Sequence, residues 1–520
     1  MPKDSPAVSE PTVETLLEQA DDERRPHAES SEGGHGSEAA LALRNALKLG
    51  SSLILTWGVA LIVAFKLPKY LGPTPYGTYQ LGESWGLAGA VFLTLGVDTY
   101  ISREIAVRPK HASDFFGGLL VARLFTLVPV VLFSIALLHS KVPEKQLSVT
   151  LFGIAYVFYA MNQTFQQMLQ AASQVGGLAI ANVASKVLWG GATLYLLFSK
   201  APFWTLPLPT IASEGLKCLV LFNAARGAVD LELRIDTAAT REVLKISFPF
   251  YIANVAVSLG SYIDVPLLEQ IVASNDELGW YSGARRIALL SALLSPILSG
   301  VLVPMMSRAK HRNEEDFFAI LRRGIEGVCV CAIPLTLMLA LGAEFWIHIT
   351  QGDAFLPAAR SLRWLAPTFV FSYANVLLWV ALMILDRSWT ITVISIVGLV
   401  LLPTFTLIAV PLTKNMGPGG AGMGCAIAMS ARELVICCVF LYFLGKRAVD
   451  RRAASNTAKS LVVCGIVIAA DRLLTSLGPA RLAIDAALYT VLAFAFRIVG
   501  PSDIIAVLKM IKDRKKPEPA

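Results

Sequence analysis

Of the chain's 520 residues, 55% are hydrophobic and only 16% are charged, against about a quarter charged in an average soluble domain. Mean hydropathy is +0.60, and the apolar residues come in blocks of about 20, long enough to cross a ~30 Å hydrocarbon layer, which excludes a string of soluble domains. The net charge of +7 is uneven, because the first 40 residues hold 10 Asp/Glu against 3 Lys/Arg and leave the remainder strongly basic.

In chain order, residues 1–40 mix Ser, Glu, Pro and Gly and lack the apolar run of a signal peptide. They predict a disordered acidic cytoplasmic tail, with a short helix around Val13 to Ala20. The blocks that follow predict about fourteen transmembrane helices, at roughly 47–66, 80–98, 116–138, 148–170, 177–198, 203–224, 246–271, 281–306, 327–348, 363–385, 390–411, 419–444, 460–474 and 482–497. Their Leu, Ala, Val and Ile do not alternate strictly, which favours helices over barrel strands and makes the fold class an all-α polytopic membrane protein. The thirteenth is shortened by Asp471-Arg472. Alternate loops carry about 29 Lys/Arg on the side of both termini and about 8 on the other, so both termini are expected in the cytoplasm. Residues 499–520 read as a basic interfacial helix and tail, opened by Pro501-Ser502-Asp503. Cys218, Cys329, Cys331, Cys425, Cys437, Cys438 and Cys464 all fall in apolar blocks and read as packing residues. No metal site, cofactor site or nucleic-acid surface is expected.

An internal repeat is readable. Gly77, Tyr79 and Asp114-Phe115-Phe116 recur as Gly279, Tyr281 and Asp316-Phe317-Phe318, each displaced by 202 residues. Both copies have the same orientation and lie six helices apart. The organisation expected is a six-helix lobe at 41–225, a cytoplasmic linker at 226–245, a second six-helix lobe at 246–445 and two extra helices within 446–498.

The segment Lys69-Tyr70-Leu71-Gly72-Pro73-Thr74-Pro75-Tyr76-Gly77-Thr78-Tyr79 resembles the opening of the polysaccharide-export flippases. Arg103-Glu104-Ile105, Asp264, Leu278-Gly279-Trp280-Tyr281-Ser282-Gly283-Ala284, Leu385-Asp386-Arg387 and the glycine-rich entry from Gly417 to Gly424 extend the resemblance over about residues 45–450. Two positions depart from the pattern: Val265 stands where a basic residue is common, and Lys69 where arginine is usual. The resemblance implies the multidrug, oligosaccharidyl-lipid and polysaccharide exporter superfamily. Within it, the implied branch flips undecaprenyl-diphosphate-linked oligosaccharides across the bacterial inner membrane, with a polymerase and co-polymerase as partners.

Such a substrate asks for cations along an internal cavity, to offset the cost of drawing a diphosphate through hydrocarbon. Lys186 and Arg432 fall nearest the midplane; Arg123, Arg285 and Arg286 follow, while Arg363 and Arg472 read as interfacial or paired and Lys217 as a partner of Glu214. Gln163, Gln167, Gln170 and Gln174 share one helical face, as do Asn182, Lys186 and Trp189. These faces suit sugars, and they equally suit hydrogen bonding between helices. Coupling to H⁺ or Na⁺ would need an acid, for which Asp264, Glu83 and Glu433 are candidates beside Glu269 and Glu326. Glu433 lies about 100° around its helix from Arg432, a poor angle for pairing. Three other readings stay open: a drug antiporter or a lipid II flippase of the same superfamily, a membrane-bound glycan polymerase or ligase, and a scaffold for a synthase complex. The short outer loops and the lack of paired carboxylates outside the bilayer weigh against an enzyme.

Overall fold

The computed structural model describes residues 34–108, 111–138, 143–172, 174–272, 274–290 and 295–498. The short helix expected near Val13 and the basic helix expected at 499–520 lie outside them. Helices α1 (Gly34–Leu71), α2 (Pro73–Leu93), α3 (Asp98–Val107), α4 (Ala112–Leu138), α5 (Pro143–Ala171), α6 (Val175–Phe198) and α7 (Leu208–Val229) form the first half. The second holds α8 (Thr237–Tyr262), α9 (Asp264–Ile271), α10 (Asn275–Ala288), α11 (Ser295–Arg312), α12 (Glu314–Leu341), α13 (Ala343–Gln351), α14 (Ala358–Leu365), α15 (Thr368–Ile384), α16 (Ser388–Thr413) and α17 (Gly420–Leu444). A hairpin of α18 (Arg451–Leu473) and α19 (Arg481–Ala495) follows. No strand occurs among the described residues.

Among the described residues ten helices are long and apolar enough to cross a bilayer, or eleven when the two parts of α8, bent by 57° about Pro249, count as one span. The proline nitrogen cannot donate to the helix ladder, which weakens α8 at that point. The expectation of about fourteen exceeds this count for a chemical reason. The segments expected at 80–98 and 148–170 fall on α2 and α5, helices of 21 and 29 residues whose Gln, Glu and Asn side chains lower their hydropathy. The segment expected at 281–306 is divided between α10 and α11. Helix α1 begins at Gly34, inside the stretch read as a tail.

Neighbour relations repeat from one half to the other. In the first, α1 packs on α6, α2 on α5, and α7 on both α5 and α6. In the second, α8 packs on α16, α10 on α14, and α17 on α14, α15 and α16. The hairpin α18–α19 packs on α12. The irregular connection between the halves is shorter than the linker expected, running over residues 230–236, because Asp236 caps α8 through the backbone N–H groups of Ala238 (2.8 Å) and Ala239 (3.1 Å).

The cores show how the halves meet. At the Gly77 end one buried cluster joins them, with Tyr76, Tyr79 and Phe152 from the first and Tyr281, Leu362 and Val410 from the second. At the opposite end there are two clusters. Phe115, Phe116 and Phe165 centre one, which Val243 of α8 joins, and Phe317, Phe318 and Leu377 centre the other. The halves therefore share one core at the Gly77 end, whereas the Asp114/Asp316 end has two distinct cores, the first of them touched by the second half through α8. Large apolar side chains such as Phe125, Tyr442 and Leu473 stay highly exposed, as expected where hydrocarbon is the solvent.

Candidate functional site

The repeat found in the sequence builds the seam of the closed end. Gly77 on α2 and Gly279 on α10 pack backbone against backbone. A Cβ on Gly77 would lie 2.8 Å from the Gly279 nitrogen and 2.4 Å from the Asn275 oxygen, and one on Gly279 would lie 2.0 Å from the Pro73 oxygen. No larger residue fits at either position without moving a helix. The Thr74 hydroxyl reaches the carboxylate of Asp276 across the same seam. The Lys145 ammonium lies 3.1 Å from Glu269, and both are buried.

About two turns deeper, α1, α2, α8 and α10 enclose a cavity of about 270 Å³ lined by Trp57, Gln80, Glu83, Tyr262, Arg285 and Arg286 among others. Its charges come from both halves. Arg286 approaches Glu83 to 3.9 Å and sits against the Tyr76 hydroxyl, while the Tyr156 hydroxyl donates to Glu83 at 3.4 Å. Lys186 on α6 lies within electrostatic reach of Arg286 and Glu83, its ammonium 3.9 Å from the centre of the Trp189 ring. Trp189 is itself fixed by donating to the Thr210 hydroxyl at 3.2 Å. Lys186 and Arg286 thus share the field of Glu83 in a partly desolvated space, with Glu214 and Lys217 also within reach of Lys186.

The other expected cations are committed to protein groups. Arg285 is buried, 2.5 Å from Asp264, and donates to the Ser261 carbonyl; Asp264 also accepts from the Tyr281 hydroxyl at 2.7 Å. Arg123, expected along the cavity, caps the last turn of α2 through the Leu93 carbonyl (2.8 Å), and reaches the Met161 sulfur (3.1 Å) and the Thr164 hydroxyl. Helix ends leave carbonyls without partners, and an arginine is well suited to satisfy one. Arg432, expected near the midplane, ties α17 to its neighbours through the carbonyls of Gly398 and Gly260, each at 3.1 Å. It also lies 3.1 Å from Glu433, against the expectation that the two would pair poorly. The guanidinium reaches round the helix because both neighbouring helices present a glycine: a Cβ on Gly260 would lie 2.9 Å from Arg432 Nη2.

The expected acids are also engaged. Glu433 accepts from Asn375 (2.8 Å), Glu326 from Asn456 (2.6 Å), and Glu269 faces Lys145. Glu214 accepts from Asn162 at 2.8 Å, with Lys217 in its field but not its bonded partner. Along the amide stripe, Gln163 donates to the Tyr159 hydroxyl (2.6 Å) and accepts from Gln166 (3.2 Å). Gln167 is half-buried and Gln170 exposed, while half-buried Asn182 accepts from Ser185 through its carbonyl. Sequence reasoning missed Tyr76, Tyr156 and Tyr262, because a tyrosine in an apolar block carries no signal until its hydroxyl is seen to face a charge. Among the described residues no group of three or more His, Cys, Asp or Glu is arranged to hold a metal ion.

Similar proteins agree with this architecture. The lipid II flippase MurJ in an inward closed conformation superposes with a TM-score of 0.67 at 14% identity, covering 89% of this chain and all of that one. An inward-facing multidrug resistance MATE family transporter of the MOP superfamily gives 0.57 at 15% identity over 74% of this chain and 96% of that one. The probable low-salt glycan biosynthesis flippase Agl15 of Haloferax volcanii is 18% identical over 434 residues, 82% of this chain and 89% of that protein. Residues 42–310, just over half of the chain, match the family described as polysaccharide biosynthesis protein, and the chain belongs to that family.

Proposed function

We propose that this protein flips undecaprenyl-diphosphate-linked oligosaccharide units across the bacterial inner membrane for surface polysaccharide export. In this reading both termini are cytoplasmic and the lobes at 41–225 and 246–445 rock about the central cavity, open in turn to each side. The observation that carries it is a cavity directly under the Gly77–Gly279 seam, lined by Arg286 of the second half beside Glu83 of the first, with Lys186 of the first half within electrostatic reach of both. Cations on both halves follow a diphosphate through either orientation, and in a low-dielectric space they offset much of the cost of removing it from water. The stripe of Gln163, Gln167 and Gln170, with Asn182 beside it, offers amides to the sugars. Asp264 neutralises Arg285, so that pair sets the local field and leaves the ligand to Lys186 and Arg286.

The names of Agl15 and MurJ, a glycan flippase and a lipid II flippase, support a lipid-linked glycan as cargo. A cationic drug fits less well, since Leu47 to Phe65 contains no acid and the cavity is net positive. The reading extends to a polymerase and co-polymerase that receive the flipped unit. Its test is complementation of a flippase-null bacterium with wild type, Lys186→Ala and Arg286→Ala at equal expression. Rescue by wild type alone, with lipid-linked units trapped inside by the variants, is the expected result. Rescue by all three discards the cationic patch as the substrate site.

A further inference from the structure

The C-terminal hairpin holds a charge arrangement that the central cavity does not use. Asp471, near the end of α18, and Asp485, in the second turn of α19, are both buried, at 8% and 0% exposure. Their side chains are in contact, and Arg481 lies 3.2 Å from Asp471. Neither oxygen of Asp485 finds a donor, whereas Asp471 Oδ1 faces the Arg481 guanidinium. Asp485 is in the field of Asp471 and Arg481 and of no further charge among the described residues. Neighbouring elements supply none: Arg472 is exposed, Glu326 of α12 is held by Asn456 and Arg452, and Glu344 of α13 pairs with Arg363. Tyr489, one turn further along α19, faces Ser460 and Cys464.

One guanidinium compensates one carboxylate. The second carboxylate is a surplus negative charge inside a spanning hairpin, where an uncompensated ion is costly. Two carboxylates in contact repel when both are ionised and hydrogen-bond when one is protonated, so the contact itself calls for a cation between them. A metal ion is disfavoured, because the pair offers few ligands and the Arg481 guanidinium already occupies its edge.

We propose that Asp471 and Asp485 form a proton-binding site, in which one exchangeable proton is shared between the two carboxyls while Arg481 balances the remaining charge. The site is independent of the lipid-linked cargo, and its test needs no transport.

Full-length protein in nanodiscs is treated with dicyclohexylcarbodiimide, which adds a protonated carboxyl across its C=N bond and carries the acid's proton onto nitrogen. Peptide mass spectrometry locates the adduct as pH is raised. The expected result is labelling at Asp485 or Asp471 that falls about tenfold per pH unit above its midpoint. Labelling should survive Lys186→Ala, vanish in the double variant Asp471→Asn/Asp485→Asn, and be unchanged when sodium replaces choline. As pH rises from the ordinary carboxyl range to that midpoint, wild type should lose thermal stability while Asp485→Asn, which mimics the protonated acid, holds its own. Absence of any adduct at all pH values, or an unaltered melting profile in wild type, overturns the proposal. Protection by sodium overturns it in favour of a metal cation.

Discussion

Lys145 and Glu269 form a buried ion pair, 3.1 Å apart, that joins α5 of the first half to α9 of the second at the Gly77 end. With the Thr74–Asp276 contact and the Gly77–Gly279 packing it makes the closed end a latch whose parts all cross the seam. Any state open at that end must separate every one of them.

Breaking this ion pair should shift the conformational balance. Lys145→Ala leaves a buried carboxylate without its cation, a change that typically costs about 3–5 kcal/mol in the state where the pair forms. The closed arrangement is disfavoured by that amount, so a spin-label pair across the seam should show longer distances in Lys145→Ala than in wild type. Unchanged distances would show that the ion pair contributes nothing to closure.

Gly279→Ala tests the glycine contact separately. The added methyl would lie 2.0 Å from the Pro73 oxygen, which backbone cannot yield without the helices parting. Surface polysaccharide in a complemented strain should fall by an order of magnitude or more, with protein level retained. Gly153→Ala is the control, since a Cβ there meets nothing within 4 Å.

Lys186→Ala and Arg123→Ala should fail in different ways. Lys186 is held by a cation–π contact with Trp189, so its loss should spare the melting temperature and abolish export. Arg123 is bonded to Leu93, Met161 and Thr164, so its loss should cost about 1–3 kcal/mol of stability, read as a lower melting temperature in detergent.

A fourth prediction concerns two corresponding amides. Asn162 donates to the Glu214 carbonyl (3.0 Å) and carboxylate (2.8 Å), and Asn375 donates to the Glu433 carbonyl (3.2 Å) and carboxylate (2.8 Å). In both, the amide oxygen is buried without a partner. Asn162→Ala and Asn375→Ala should therefore lower the melting temperature by similar amounts, each corresponding to about 1–3 kcal/mol. A large difference would break the equivalence of the two halves at this level.

The sequence by itself determined the class of the protein, the extent of most helices and the 202-residue repeat, because these rest on local properties: apolar block length, turn residues and recurring motifs. It also placed Gly77 and Gly279 in equivalent positions, though not in contact with each other. Only the tertiary structure decided which charges face the cavity. Helical periodicity fixes the angle at which Arg123, Arg286 or Arg432 leaves its helix, but not whether that direction meets a carbonyl at a helix end, a glycine on a neighbour or an open space. An arginine side chain is long enough to choose among them. Arg123 and Arg432 found backbone carbonyls within reach and tie helices together, whereas Arg286 turns to the cavity beside Glu83, within electrostatic reach of Lys186. Depth in the membrane, the one guide the sequence offered, ranks the cost of burying a cation and is silent on what satisfies it.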